Sequence, residues 1–333
     1  MKKNLDRENL KQVILDFPRQ FTVGANAAKK IRVSGLFRSI TISGMGGSAL
    51  PADILKTIIE NSPSAKKIAI FINRSYSLNW KARSASLNFF ASYSGNTEET
   101  LSAFREALAK KLPCVCFTSG GKLAEMSLKN NTPLVIIPYG IQPRNALGYF
   151  IGAILQVLEN SNILEGQLKT LLTIEKKLEA KMVKFEIQGK KLATKLKGKT
   201  PIIYATDKLG ALAMIWKIKI NENAKTPAFW NVFPEMNHNE MVGFTLLQAK
   251  FLALFLVDPE DHPQNIKRMK ITAQLLAKHG VKTEMISLEK GSLMEKLFSA
   301  VILGDWISYY LALAYSQDPT PVVMVEDLKK KLT

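Results

Sequence analysis

The sequence predicts an α/β protein made of two doubly wound, parallel-sheet domains with flanking helices. Three observations carry this. Short apolar runs alternate with longer stretches of helical periodicity along almost the whole chain. The runs are mostly too continuous to keep one solvated face, which is the pattern of parallel strands covered by crossover helices on both sides. The alternation also starts twice, near residue 38 and again near residue 200.

Each element follows from its composition. Residues 4–30 read as a helix. "RSITISG" (38–44) is a short strand that ends in the glycine turn "GMGGSALPADILKTII", which feeds a helix. "KKIAIFIN" (66–73) and "SLNFFASYSG" are the second and third strands, the latter followed by a helix over 97–111. "LPCVCFTSGG" is a fourth strand, then comes a helix over 121–129. "TPLVIIP" (132–138) is a fifth, and 144–160 a helix. The helical stretch 163–199 reads as a connector. Strands then recur at 200–206, 226–230, 249–258 and 282–288, with helices at 207–221, 236–243, 262–279, 292–316 and 321–332. The expected domains are 1–158 and 159–333, the second including the connector and the C-terminal helices.

The 333 residues suffice for two ordinary domains, and 47% apolar residues suffice for two cores. No uninterrupted apolar run approaches the roughly 18 residues of a membrane span. The N-terminal "MKKNLDRENLKQ" lacks the apolar segment of a secretory signal. Cys114 and Cys116 are the only cysteines, too close along one strand for a relaxed disulfide, so a reducing cytoplasm is expected. His238, His262 and His279 are the only histidines, a thin supply for a zinc centre. No metal or other cofactor is expected. Lys and Arg number 46 against 28 Asp and Glu, a net charge of +18. The cations scatter along the chain and are densest over 176–199, where they read as the solvated face of an amphipathic helix. No nucleic-acid-binding signature accompanies them, so neither nucleic acid nor membrane is an expected partner. An anionic small molecule is.

Two strand-to-helix turns carry the chemistry. "SYSGNTEET" surrounds one glycine with hydroxyls at the carboxyl end of a strand, where parallel sheets bind ligands and helix N-termini attract anions. It fits a phosphate cradle, and it equally fits ordinary helix capping by Thr97 and Thr100. "SGMGGSAL" (43–50) is a second such turn. Its glycines match neither the dinucleotide fingerprint nor the nucleotide P-loop. Two loops of this kind on one sheet suggest one phosphorylated small molecule.

Six segments occur in order: "SGMGGSAL", "SYSGNTEETL", "PRNALGY" (143–149), "NENAKTPAF" (221–229), "PEMNHNEMVGF" (234–244) and the tail over 303–332. Together they resemble the bifunctional phosphoglucose/phosphomannose isomerase family, nearly end to end. "SxSGNTxET" alone marks only a sugar-isomerase (SIS) domain, a class that includes sensing modules, whereas "NENAK" with "PExNHNE" is more restrictive. The resemblance implies two SIS domains. It also implies a metal-independent aldose–ketose isomerase that interconverts glucose 6-phosphate, and mannose 6-phosphate as a second aldose, with fructose 6-phosphate through a cis-enediol. A non-catalytic SIS module that binds a sugar phosphate is the alternative. It would retain the serine cradle without needing the Glu222 and His238 pair.

The resemblance also implies residue roles. Glu222 is similar to the family's catalytic base, although its spacing alone favours a surface glutamate at a helix end. His238 resembles the ring-opening histidine, which related isomerases deliver from the neighbouring subunit. That implies a homodimer with His238 contributed across the interface. Arg144 resembles the arginine that faces the enediolate, with Asn145 departing from the usual alanine. An ordinary exposed arginine is the plainer reading. Lys329 resembles the terminal-helix lysine, and Lys330 and Lys331 leave its register open. Val322 lies where the family can carry a small hydroxyl residue that admits both C2 epimers, and Thr320 is two residues away. Ser92, Ser94 and Thr97 resemble the phosphate cradle, with Ser48 and the backbone of Gly46 and Gly47 near the sugar.

Overall fold

Continuous apolar runs become strands buried on both faces. In β1 (Ser39–Gly44), Ile40 and Ile42 are buried; in β3 (Ser86–Ala91), all six residues are. The computed structural model describes residues 5–61, 68–83 and 85–332. These divide into two compact units, one of residues 16–179 and one of residues 180–333 with the first 15.

In the first unit, α2 (Gln20–Ala27) precedes β1. Then come α3 (Leu50–Asn61), β2 (Ala69–Asn73), β3, α4 (Glu98–Ala109), β4 (Cys114–Thr118), α5 (Gly121–Lys129), β5 (Leu134–Ile136), α6 (Leu147–Asn160) and the first half of α7 (Gln167–Leu196). The five strands are all parallel, in the order β2-β1-β3-β4-β5. The order reverses between β1 and β3, and that switch point is where ligands enter such sheets. The loops at its carboxyl edge are residues 45–49 and 92–97, the two hydroxyl-rich turns. Residues 66 and 67 of the expected second strand lie outside the described residues.

The second unit holds α1 (Leu10–Leu15), the rest of α7, β6 (Thr200–Thr206), α8 (Gly210–Ala224), β7 (Phe229–Phe233), β8 (Phe251–Val257), α9 (Pro263–Lys278), β9 (Lys282–Ser287), α10 (Leu293–Ala314) and α11 (Val323–Leu332). Its strands are again parallel, in the order β7-β6-β8-β9. Helix α10 has the length and hydropathy of a membrane span, but 83% of its apolar window is buried. It is this unit's core helix.

Several expected elements are redrawn. The helix expected over 4–30 is interrupted. Asp6 caps α1 through Leu10 N (2.7 Å) and Lys11 N (3.0 Å), and Pro18 then sits in a 3-10 turn over Phe17–Arg19. Pro has no N–H to continue a helix. The strand expected over 226–230 is shifted to Phe229–Phe233, because its register is set by pairing with β6 and not by its own residues. The short helix expected over 236–243 is two 3-10 turns, Glu235–His238 and Glu240–Thr245. Asn239 separates them and accepts from Glu240 N through its side chain. The sequence divides the chain at 158/159, at the end of α6; the compact units divide at 179/180, within α7. On one side of that point Glu175 and Glu179 receive Thr22 and Arg19. On the other, Lys181 bonds Glu295 and Lys195 bonds Glu284.

Candidate active-site elements in each unit

In the first unit the turn after β1 continues as a 3-10 turn, Gly46–Ser48. Gly46 adopts φ +49°, a region that favours glycine. Gly47 is required for a different reason. A Cβ there would lie 2.4 Å from Arg144 N and 2.6 Å from Pro143 C, so the turn packs backbone to backbone on the 3-10 turn Pro143–Asn145. Gly47→Ala is therefore expected to destabilise the protein by about 1–3 kcal/mol, the usual cost of overpacking. A lowered thermal midpoint with reduced activity checks this, and an unchanged midpoint refutes the packing argument.

Ser48 Oγ accepts from Tyr93 N at 2.9 Å, which joins this turn to the one after β3. There, Ser92 is fully buried, and its hydroxyl bonds Thr97 Oγ1 at 2.8 Å. Thr97 occupies the N-cap of α4, yet its side chain makes no capping bond. Its hydroxyl is committed to Ser92 instead. Ser94 is exposed and accepts from Asn96 N at 3.3 Å. Gly95, at φ +70°, leaves no room for a Cβ, which would meet Gly120 O at 1.8 Å. Ser92, Ser94 and Thr97 thus share one short turn at the N-terminus of α4, where N–H groups and the helix dipole favour an anion.

Arg144 is not an ordinary exposed arginine. It is 1% exposed, among the largest fully buried side chains. The turn that carries it is pinned by Gln20, whose Nε2 donates to Asn145 O (2.8 Å) and whose Oε1 accepts from Gly148 N (3.1 Å). The departure at Asn145 is absorbed in the interior, since Asn145 is itself buried. Tyr93 was missed by sequence reasoning. Its hydroxyl donates to Pro138 O (2.8 Å) and accepts from Ile141 N (3.2 Å), while its carbonyl accepts from Ser119 Oγ (2.6 Å). It ties the cradle to the loops after β4 and β5. The only sequence signal is an aromatic placed between two serines.

In the second unit Glu222 lies half-buried on the last turn of α8, not as a fully solvated helix-end residue. Both flanking asparagines are engaged. Asn221 Nδ2 donates to Thr226 O (2.9 Å) and Asn223 Nδ2 to Ser308 Oγ (2.9 Å) on α10. One turn earlier, Lys219 pairs with Asp305 of α10 at 2.5 Å, both side chains buried. Trp216 Nε1 donates to Ala300 O at 2.8 Å. Helix α8 is thus fixed against α10 along its inner face.

His238 ends the 3-10 turn after β7 and is exposed. Glu240 does not orient it through a hydrogen bond of its own. Its carboxylate is engaged by Tyr204 Oη (2.6 Å) and by Asn231 Nδ2, anchoring the turn to β6 and β7. Burial, reinforced by that carboxylate, pushes the Tyr204 hydroxyl far above its usual pKa. His262 caps α9 by accepting from Gln264 N at 3.2 Å, as a structural histidine would. Lys329 stands on the exposed α11 and bonds Glu326 at 2.9 Å.

The second sheet has its own switch point, between β6 and β8, but no hydroxyl cradle stands there. Asp258 is bonded by Lys296 (2.7 Å) and Lys208 (3.4 Å), and Thr206 donates to Asp261 (2.5 Å). Burial opposes ionisation of Asp258. Bonds from Lys296 and from Glu260 N, with the two lysine charges, outweigh it and hold the carboxyl below its usual range. The cations at this edge are neutralised internally.

Residues 185–332 match a family profile described as the bacterial phospho-glucose isomerase C-terminal SIS domain. The chain is 36% identical over 328 residues to a bifunctional phosphoglucose/phosphomannose isomerase of Caldicellulosiruptor bescii, covering 94% of this chain and 95% of that one. It is 34% identical over 298 residues to the protein of the same name from Aquifex aeolicus, covering 89% and 91%. Among solved structures, a hypothetical protein from Thermus thermophilus shares the fold. The TM-score is 0.73 at 14% identity, over 99% of this chain and 91% of that one.

Proposed function

The chain belongs to the bifunctional phosphoglucose/phosphomannose isomerase family, and we propose that it interconverts glucose 6-phosphate and mannose 6-phosphate with fructose 6-phosphate without a metal. The observation that carries this reading, beyond family membership, is the first unit's switch point. A turn of hydroxyls at a helix N-terminus adjoins a glycine turn packed directly on a buried arginine. That arrangement suits a phosphate on Ser92, Ser94, Thr97 and the N–H groups of α4. The sugar lies toward Ser48, Gly46 and Gly47.

In this reading His238 trades a proton with the ring oxygen and opens the sugar, a task that suits an imidazole because its nitrogens can donate and accept. Lys329 assists. Glu222 then takes the C2 proton of the open-chain aldose. The C–H electron pair forms the C1–C2 double bond of a cis-enediolate, whose charge the Arg144 guanidinium balances. The protonated Glu222 returns the proton to C1, and a proton passes from O2 to O1, leaving the ketose. Protons and electrons balance with no external oxidant. The exposure of His238 supports its delivery to a second copy, so the working unit is a homodimer. Both cysteines are free thiols, in keeping with a cytoplasmic enzyme.

The test is a coupled assay on EDTA-treated protein supplied with fructose 6-phosphate, following each aldose separately. Both products are expected. Glucose 6-phosphate alone removes mannose phosphate from the reading. Neither product, from folded protein that still binds the sugar phosphate, overturns catalysis in favour of a sensing module.

A further inference from the structure

Lys225 follows α8 in the left-handed conformation, φ 56° and ψ 30°. That position after a helix is usually glycine, because a side chain there strains the backbone. A lysine is retained, and its ammonium is fully used. Nζ donates to Glu222 O (2.7 Å), Asn223 O (3.1 Å) and Pro319 O (3.1 Å). The first two are carbonyls that the end of a helix leaves without intrahelical partners. The third belongs to the segment leading into α11. That segment is itself ordered, since Thr320 N donates to Asp318 Oδ1 at 3.1 Å.

We propose that Lys225 is a positioning residue for Glu222. Its ammonium clamps the last turn of α8 to the Asp318–Thr320 segment and thereby fixes the direction of the Glu222 side chain. The inference rests on the reading of Glu222 as the base. Two other ties act on the same turn, Asn223 to Ser308 and Lys219 to Asp305, but both lie on its inner face toward α10. Lys225 ties the turn to the 318–320 segment, through Pro319 O. A base must sit within hydrogen-bond reach of the proton it removes, and displacement of about 1 Å costs up to about 10²-fold in rate.

Lys225→Gly is the informative variant. It relieves the backbone strain while deleting the ammonium, so the fold is retained and the clamp is lost. The expected result is a thermal midpoint within about 4 °C of wild type. Full binding stoichiometry for 6-phosphogluconate, an unchanged KM and a kcat lowered about tenfold should accompany it. Lys225→Met should behave alike in kcat, and Lys225→Arg should regain most of the loss. A Lys225→Gly kcat within about twofold of wild type overturns the proposal, as does a loss that only tracks a lower binding stoichiometry. Glu222→Gln is measured alongside. If that variant keeps its turnover, the base reading itself fails. If it loses turnover while Lys225→Gly does not, only the clamp fails.

Discussion

Replacing Glu222 by Gln is expected to lower kcat by about 10²–10⁴-fold, the range for a positioned general base. KM and thermal midpoint should change little. The carboxamide has nearly the same shape, and the turn beneath it has several ties besides the carboxylate. That turn is held by backbone and neighbouring groups: Asn221 to Thr226, Asn223 to Ser308, and Lys225 to the Glu222 and Asn223 carbonyls. An amide cannot take the C2 proton at neutral pH, so the loss should fall on the chemical step. Steady-state kinetics with calorimetry of the same preparation checks both halves. A second readout follows solvent deuterium entering C2 of glucose 6-phosphate, which should slow in parallel with turnover. Near-normal turnover, or exchange that persists while turnover falls, would take Glu222 out of the proton-transfer role.

The parallel strands were legible because burial on both faces leaves an unbroken apolar signature. "CVCFT" in β4 and "FLALFLV" in β8 read directly as strands. Helix α5 was bounded correctly by the glycines before it and the asparagines after it. Where a partner strand decides, the sequence is mute: β7 begins only where Phe229 meets Ile202 of β6, beyond Pro227. Where a local bond competes with periodicity, the helix breaks, as at Asp6 and Pro18. Composition also cannot separate a core helix from a membrane span. Only the burial of α10 among its neighbours does so.

The site divides the same way. Ser92, Ser94 and Thr97 stand out because small donors and a glycine share one short stretch, the composition that a ligand-binding turn would need. What those hydroxyls do was not legible: Thr97 stood equally as a cap, and only the structure commits it to Ser92. The groups that hold the site are chosen by neighbours distant in sequence. The Arg144 backbone packs on Gly47, Glu240 is engaged by Tyr204, and Lys219 meets Asp305 on another helix. An isolated lysine in a sequence reads as surface. Nothing in "KIKINENAK" distinguishes the buried Lys219 from its neighbour Lys217, or marks Lys225 as a helix-end clamp in a chain of net charge +18.

Arg144→Lys is expected to lower kcat/KM by about 10²–10³-fold, the cost of removing one preorganised donor that meets charge developing in the transition state. Conserving the charge does not conserve the function. A guanidinium offers a planar fork of donors that spans two adjacent oxygens, and the cis-enediolate presents two on neighbouring carbons; an ammonium is a point charge on a flexible stem. The backbone that carries the fork is fixed before substrate arrives, since the turn Pro143–Asn145 is packed on Gly47 and bonded by Gln20. Such preorganisation lets a donor act without reorganising at the moment of reaction. Arg144 is also buried, so stability must be read separately from rate. Lysine keeps a cation and most of the aliphatic stem, and the variant should remain folded, with a lower midpoint from the space it leaves. Truncation to Ala would confound the two effects by also removing a buried charge and most of the side-chain volume. The decisive comparison is therefore kcat/KM against thermal midpoint for Arg144→Lys. A large rate loss in folded protein places the guanidinium on the reacting atoms. A lowered midpoint with near-normal kcat/KM makes Arg144 a packing residue and leaves the enediolate charge to the N–H donors of the glycine turn.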